Sequence, residues 1–198
     1  MYFPYGETEL NYLRKKDKKL GALIDRVGMI QRPINPKLFE ALVESIVAQQ
    51  ISTKAANTVT ARLQELSKLC PHRLHALPQE EIKACGMTHI KAGYIKNIAQ
   101  AAALGEINFD TLHQLSDEEI IKKLTAIKGV GVWTVEMLLI FSLSRPNILS
   151  FGDLIIRRNI ALLYGHKEMP KARFEKYAKR YSPYGSVASL YLWAYRPQ

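Results

Sequence analysis

Residues 124–153 read LTAIKGVGVWTVEMLLIFSLSRPNILSFGD, and the fold is decided inside that stretch. A Gly129-Val130-Gly131 turn separates two segments of helical spacing, and one acid, Asp153, follows a helix and a loop later. Glycines so close together let a backbone turn approach a ligand without Cβ atoms in the way, and they permit positive φ. The second helix is expected to begin near Val132, so its unpaired N-terminal amides and its dipole suit a phosphate. Ile127 and Val130 can pack between the two helices, while Lys128 adds charge and Thr134 a hydroxyl donor. A tight helix–helix turn with no ligand is the competing reading of a bare Gly-x-Gly. The longer string Leu-x-x-Ile-x-Gly-Val-Gly-x-x-Thr, in a chain of net charge +10, favours a grip on a DNA backbone. The acid then suggests that a bond is broken there.

The charge comes from 28 Lys and Arg against 18 Asp and Glu in 198 residues. Such an excess attracts polyanions, of which nucleic acid is the commonest; simple solubility is the plainer alternative. With 47% hydrophobic and 23% charged residues the chain is otherwise an ordinary globular one, long enough for one domain with a real core. Cys70 and Cys85 cannot form a four-cysteine zinc or iron–sulfur site and read as reduced structural thiols. The N-terminal MYFPYGETEL lacks a signal pattern and no apolar run reaches membrane-spanning length, so an intracellular protein in the cytoplasm or nucleoid is expected.

Helical punctuation recurs along the whole chain. Asn35-Pro36 looks like a cap and first-turn proline before an apolar-periodic segment from 37 to 50. Ser52 caps a helix to about Ser67, and Pro78 opens a short one that ends at Gly86. Residues 89–104 offer Ile90, Ala92, Tyr94, Ile95, Ile98 and Ala101 for an inner face. Ser116 to Glu119 is a capping box, and helices also fit 132–143, 154–164, 171–181 and 185–195. No segment alternates as a strand. The expectation is an all-α chain of about ten helices. The helix–Gly86–helix stretch faintly echoes the 124–133 hairpin, although one glycine is more often a plain C-cap.

The segment IKGVGVWTVEMLLIFSLSRPNILSFGDLIIRR, together with LFEALVESIVAQQIS, KACGMTHIKAGYI and YLWAY, resembles the helix-hairpin-helix DNA glycosylase superfamily. The resemblance covers residues 35–195 and is greatest to the 3-methyladenine DNA glycosylase II (AlkA-like) branch. It implies one two-lobed domain, with lobe A at about 36–126, lobe B from the N-terminal helices plus about 132–198, and an active cleft between the lobes. Longer relatives carry a further N-terminal domain, and this chain resembles the compact form.

What the resemblance implies for single residues can be set beside their plainer readings. Asp153 matches the catalytic aspartate, which would stabilise positive charge on the sugar and orient or deprotonate water; it is also a good helix N-cap. Trp133 stands where strand-cutting relatives have a Schiff-base lysine, which implies a monofunctional enzyme. Its indole would stack on a flipped, cationic base. Trp193 matches a second pocket aromatic or is a core residue, and Met137 and Leu154 occupy positions that hold aromatics in some relatives. Gln49 and Gln50 sit where the family inserts its wedge, Gln50 being the better candidate, unless they are a solvated helix end. Ser52, Gly86 and Lys91 complete the expected DNA contacts. The carbonyls of Thr125, Ile127 and Gly129 match positions that hold a structural Na+ or K+ in relatives; no iron–sulfur cluster or other cofactor is implied. The run Arg14, Lys15, Lys16, Lys18, Lys19 reads better as a solvated helix face than as a DNA contact.

The expected function is release of alkylated purines of the 3-methyladenine and 7-methylguanine type from duplex DNA by a monomeric enzyme of base-excision repair, without lyase activity and away from membranes. Action on deaminated or oxidised bases, or a non-catalytic DNA-binding hairpin, are the alternatives.

Overall fold

The computed structural model describes residues 1–197. Among them are twelve α-helices and one 3-10 helix, and the one β-bridge joins Tyr2 to Pro33. None of the helices is long and apolar enough to cross a membrane. Contacts divide the chain into two compact units, Asn35–Leu138 and a second made of Met1–Ile34 with everything from Leu139 onward.

The Asn35–Leu138 unit holds α3 (Leu38–Ala48), α4 (Thr53–Ser67), α5 (Pro71–Ala76), α6 (Gln79–Ala84), α7 (His89–Ala103), the 3-10 helix Phe109–Gln114, α8 (Asp117–Thr125) and the start of α9 (Val132–Phe141). Its centre is α7, which packs against α3, α5 and α6. Leu42, Val43 and Ile46 on α3 and Ile95, Ile98 and Ala99 on α7 are completely or almost completely buried. Each large aliphatic among them contributes roughly 1.5–3 kcal/mol. Two lysines of α7 cap neighbouring helices from the side. Lys91 Nζ donates to the carbonyls of Val47 (2.8 Å) and Gln49 at the end of α3. Lys96 Nζ donates to those of Leu77 (2.6 Å) and His75 at the end of α5. Cations there satisfy the carbonyls that a helix end leaves open.

The other unit contains α1 (Glu7–Lys16), α2 (Lys18–Val27), the end of α9, α10 (Leu154–Tyr164), α11 (Lys171–Tyr181) and α12 (Gly185–Ala194). Every residue from Gly185 to Leu192 is buried, because α12 carries no charged side chain and its two serines find hydrogen-bond partners inside the unit; α1, α2, α10 and α11 pack around it. Asp17 caps α2, accepting from the amides of Lys19 (3.0 Å) and Leu20 (2.9 Å), and it takes Arg180 of α11 at 2.7 Å. Burial alone would raise this carboxyl. The Leu20 amide, the Arg180 guanidinium and the Tyr164 hydroxyl outweigh burial and hold it below the usual carboxylate value.

Several expectations need correction. Leu38, not Pro36, opens α3: Lys37 is its N-cap, and Asn35 accepts from the Lys37 amide at 3.1 Å in a turn of its own. Ile90 is 64% exposed, one residue off the inner face of α7. Thirteen helices stand against the expected ten or so among the described residues; the short α5 and the 3-10 helix span six residues each, too few for periodicity to register. The basic run on α1 and α2 stays at the surface, where Arg14 bonds Glu7 (2.9 Å) and Asp25 (2.8 Å).

Candidate functional site

The hairpin is built by three short-range bonds. As α8 ends, the Ile127 amide donates to Leu124 O (3.1 Å), the Val130 amide to Ile127 O (3.1 Å), and the first helical bond of α9 runs from the Val135 amide to Gly131 O (3.2 Å). The amides of residues 132–134 therefore precede the helical ladder of α9, the position from which a helix start addresses an anion. Ile127 and Val130 are buried, as their spacing predicts, and Lys128 is exposed.

The two glycines have different reasons. Gly129 has φ 106°, and a Cβ there would overlap the ring of Tyr94 on α7. One turn further along α7, Asn97 Nδ2 donates to Lys128 O at 3.0 Å. Tyr94 and Asn97 thus form a floor under the hairpin. At Gly131 a Cβ would meet nothing within 4 Å, and φ is not positive. The protein itself does not require glycine there; an approaching ligand would.

Thr134 departs from expectation. Its side chain is buried at 4% exposure, so the hydroxyl is not offered at the surface. Trp133 is 42% exposed and Met137 half-buried on the same helix. Thr125, Ile127 and Gly129 supply hard carbonyl oxygens, the donor type a Na+ or K+ takes.

At the end of α3, Gln49 is the C-cap and Gln50 adopts φ 56°, a left-handed conformation that costs a non-glycine residue about 1–3 kcal/mol. Gln50 is exposed beside Ile51, and Ser52 caps α4 by accepting from the Ala55 amide at 3.2 Å. The expected DNA role of Lys91 is corrected here, because its ammonium sits on the α3 carbonyls and burial lowers its pKa. Lys91 braces the glutamine turn. Gly86, with φ 111°, lets its turn approach Val59 and Arg62 of α4, and Arg62 Nη1 donates to Cys85 O at 3.3 Å.

The other unit fixes the acid. Asp153 is only 6% exposed and caps α10, Oδ1 accepting from the Ile156 amide at 2.9 Å. Oδ2 accepts from Trp193 Nε1 at 3.1 Å. The indole of Trp193 lies 5.5 Å from the ring of Phe141. Upstream, Ser186 Oγ accepts from the Ile148 amide (2.9 Å) and Ser189 Oγ donates to Ile148 O (3.0 Å). Positions 186, 189 and 193 fall on one face of α12, so a single helix holds both the 145–150 loop and the carboxylate at its end. A Cβ at Gly185 would press on Asn147 and Ile148 backbone at 3.3 Å. Leu154, directly after the acid, is 69% exposed. Ser186, Ser189, Tyr94 and Asn97 were missed as site residues; the two serines, three apart in an otherwise apolar helix, carried a readable signal.

A rigid, buried carboxylate whose lone pairs are aimed by two donors is suited to stabilising a cation electrostatically. A rigid glycine turn ahead of a helix is suited to holding phosphate. Comparison with known proteins places the chain in a family. Residues 43–183 match the family model described as HhH-GPD superfamily base excision DNA repair protein. DNA-3-methyladenine glycosylase 1 of Schizosaccharomyces pombe is 33% identical over 194 residues, 95% of this chain and 85% of that one. The crystal structure of a DNA-3-methyladenine glycosidase from Bacillus halodurans superposes with a TM-score of 0.86 at 35% identity, covering 98% and 91% of the two chains. The S. pombe 3-methyladenine DNA glycosylase in complex with abasic DNA gives 0.81 at 34% identity, covering 94% and 95%.

Proposed function

Since this chain belongs to the HhH-GPD superfamily of base excision DNA repair proteins, we propose that it is a monofunctional DNA glycosylase of the 3-methyladenine glycosylase II type, removing alkylated purines from duplex DNA as a monomer. The observation that carries the reading is the Asp153 carboxylate, buried at the cap of α10 and held by Ile156 and Trp193.

In this mechanism the bond between C1′ and the purine nitrogen breaks, and its electron pair leaves with the base. An N-alkylated purine is already cationic, so it departs neutral and needs little acid assistance. Positive charge develops on the sugar, and Asp153 stabilises it by proximity in a site that must not reorganise to do so. Water adds at C1′ and Asp153 accepts or directs its proton. The half-exposed Trp133 offers a flat π-face to the extruded base, which gains a cation–π contribution of about 0.5–2 kcal/mol while the lesion is charged. Trp133 has no amine, so no Schiff base forms and the strand stays whole. Met137, four residues on from Trp133 along α9, serves the base beside it, the exposed Leu154 next to Asp153 is a further apolar contact for the extruded nucleotide, and Gln50 fills the gap left in the stack. Phosphate is held by the amides of residues 132–134 at the start of α9 and by Lys128. A Na+ or K+ on the carbonyls of Thr125, Ile127 and Gly129 would neutralise part of the phosphate charge.

Incubation with methylated genomic DNA tests the reading. Mass spectrometry should find freed 3-methyladenine and 7-methylguanine, and the strand should break only after alkali treatment. Release of only deaminated or oxidised bases, or of none, would contradict it.

A further inference from the structure

The net charge is not spread over the molecule. Asn35–Leu138, which contains the hairpin, has 11 Lys and Arg against 11 Asp and Glu. The unit that carries Asp153 has 17 against 7, which is the whole +10 of the chain. Counterion release makes cation–phosphate pairs the main sequence-independent source of DNA affinity. The unit with the excess of ten positive charges is the better placed to supply it.

On the charged unit a cavity of about 340 Å³ opens along the outer face of α10, lined by Leu154, Arg157, Arg158, Leu162, His166 and Lys167 among others. No carboxylate lines it. The Arg157 guanidinium lies 4.8 Å over the ring of Phe151, which fixes its plane, and its Nε is buried with no hydrogen-bond partner among the described residues. Arg158 and Lys167 are exposed. The floor is apolar, and the cavity begins one residue after the acid. From Leu154 to Leu162 the helix rises about 12 Å at 1.5 Å per residue, the length of three to four nucleotides at ~3.4 Å each along one strand.

We propose that this groove is a second DNA-backbone site, in which Arg157, Arg158 and Lys167 hold the phosphates of the strand flanking the damaged nucleotide. The proposal rests on the glycosylase reading for its ligand. Sugar rings would lie on Leu154 and Leu162, and the Arg157 guanidinium, held over Phe151, would add its charge beside the phosphates that Arg158 and Lys167 contact. The groove sets affinity and its salt dependence, whereas the chemical step stays with Asp153.

The test uses the Arg158→Ala/Lys167→Ala double variant and, as a charge-matched control, Lys15→Ala/Lys18→Ala on α1 and α2. Binding of each to a 20-bp duplex bearing an abasic analogue is followed as a function of KCl. Loss of two phosphate contacts should flatten the slope of log K against log salt by roughly 2, at about 0.9 per contact. The control should keep the wild-type slope, and base release at saturating enzyme should stay within about twofold of wild type in both. An unchanged slope in the groove variant, or an equal fall in the control, would overturn the proposal. Absence of base release from the wild type would instead sink the glycosylase reading and leave the slope result to judge the groove.

Discussion

Trp193 Nε1 donates to Asp153 Oδ2 at 3.1 Å, so an aromatic residue of the last helix sets the orientation of the acid. Its neighbours on that face, Ser186 and Ser189, hold the loop that leads to the same residue. Trp193→Phe keeps the ring and removes the donor. A hydrogen bond to a charged group contributes about 1.5–3 kcal/mol, so single-turnover base release should slow by roughly 10- to 100-fold. Duplex affinity should not change. A variant that loses affinity but keeps its rate would show that Trp193 serves the pocket rather than the acid.

Gly129 and Gly131 should respond to alanine in opposite ways. Gly129→Ala forces a Cβ into Tyr94 at φ 106°, at a cost of about 3 kcal/mol or more from strain and overpacking, and thermal melting should register it. Gly131→Ala should cost under about 1 kcal/mol, the difference between the two residues at a helix start. Its duplex Kd should nevertheless rise about tenfold or more, because the methyl stands where phosphate approaches. Normal DNA affinity in Gly131→Ala would remove the hairpin from the DNA contact.

Lys91→Met tests the brace on the glutamine turn. Removing the ammonium leaves the Val47 and Gln49 carbonyls without their cap, so the melting temperature should fall while the salt slope of DNA binding stays put. A slope reduced by about 1 would restore Lys91 to the phosphate contacts.

Asp17 links stability to pH. Its carboxyl is held below the unfolded value, so its contribution is present above the unfolded pKa of about 3.9 and is lost as pH falls through the folded one. Asp17→Ala should lower stability at pH 7 by about 2 kcal/mol through the lost cap and buried bonds. The gap to wild type should close below about pH 4. A constant gap across that range would contradict the assignment.

The helical segments were legible because caps and 3.6-residue spacing agree: Ser52, Ser116 and Asp153 each accept from the amide three residues on. The hairpin was legible from two glycines, although only Gly129 has an internal reason for being one. Less visible were the contacts that carry the site across sequence distance. Tyr94 and Asn97 support residues more than thirty positions away, and Trp193 reaches back forty to Asp153. Nothing local marks such pairs. Lys91 misled for the same reason, since a lysine beside a glycine turn reads as a DNA contact until its carbonyl partners are seen. Thr134 misled because it falls on the buried side of the first turn of α9, with Val135, while Val132 and Trp133 face out.

The central claim is that Asp153 performs the chemistry. Asparagine at this position still caps a helix, so Asp153→Asn should fold and bind an abasic-site duplex like the wild type. Single-turnover release of 7-methylguanine from methylated duplex should fall by at least 100- to 1,000-fold, on the order of what a lost transition-state electrostatic contact costs. A folded, DNA-binding Asp153→Asn that releases 7-methylguanine within about tenfold of the wild-type rate, a difference of roughly 1.4 kcal/mol, would contradict the account.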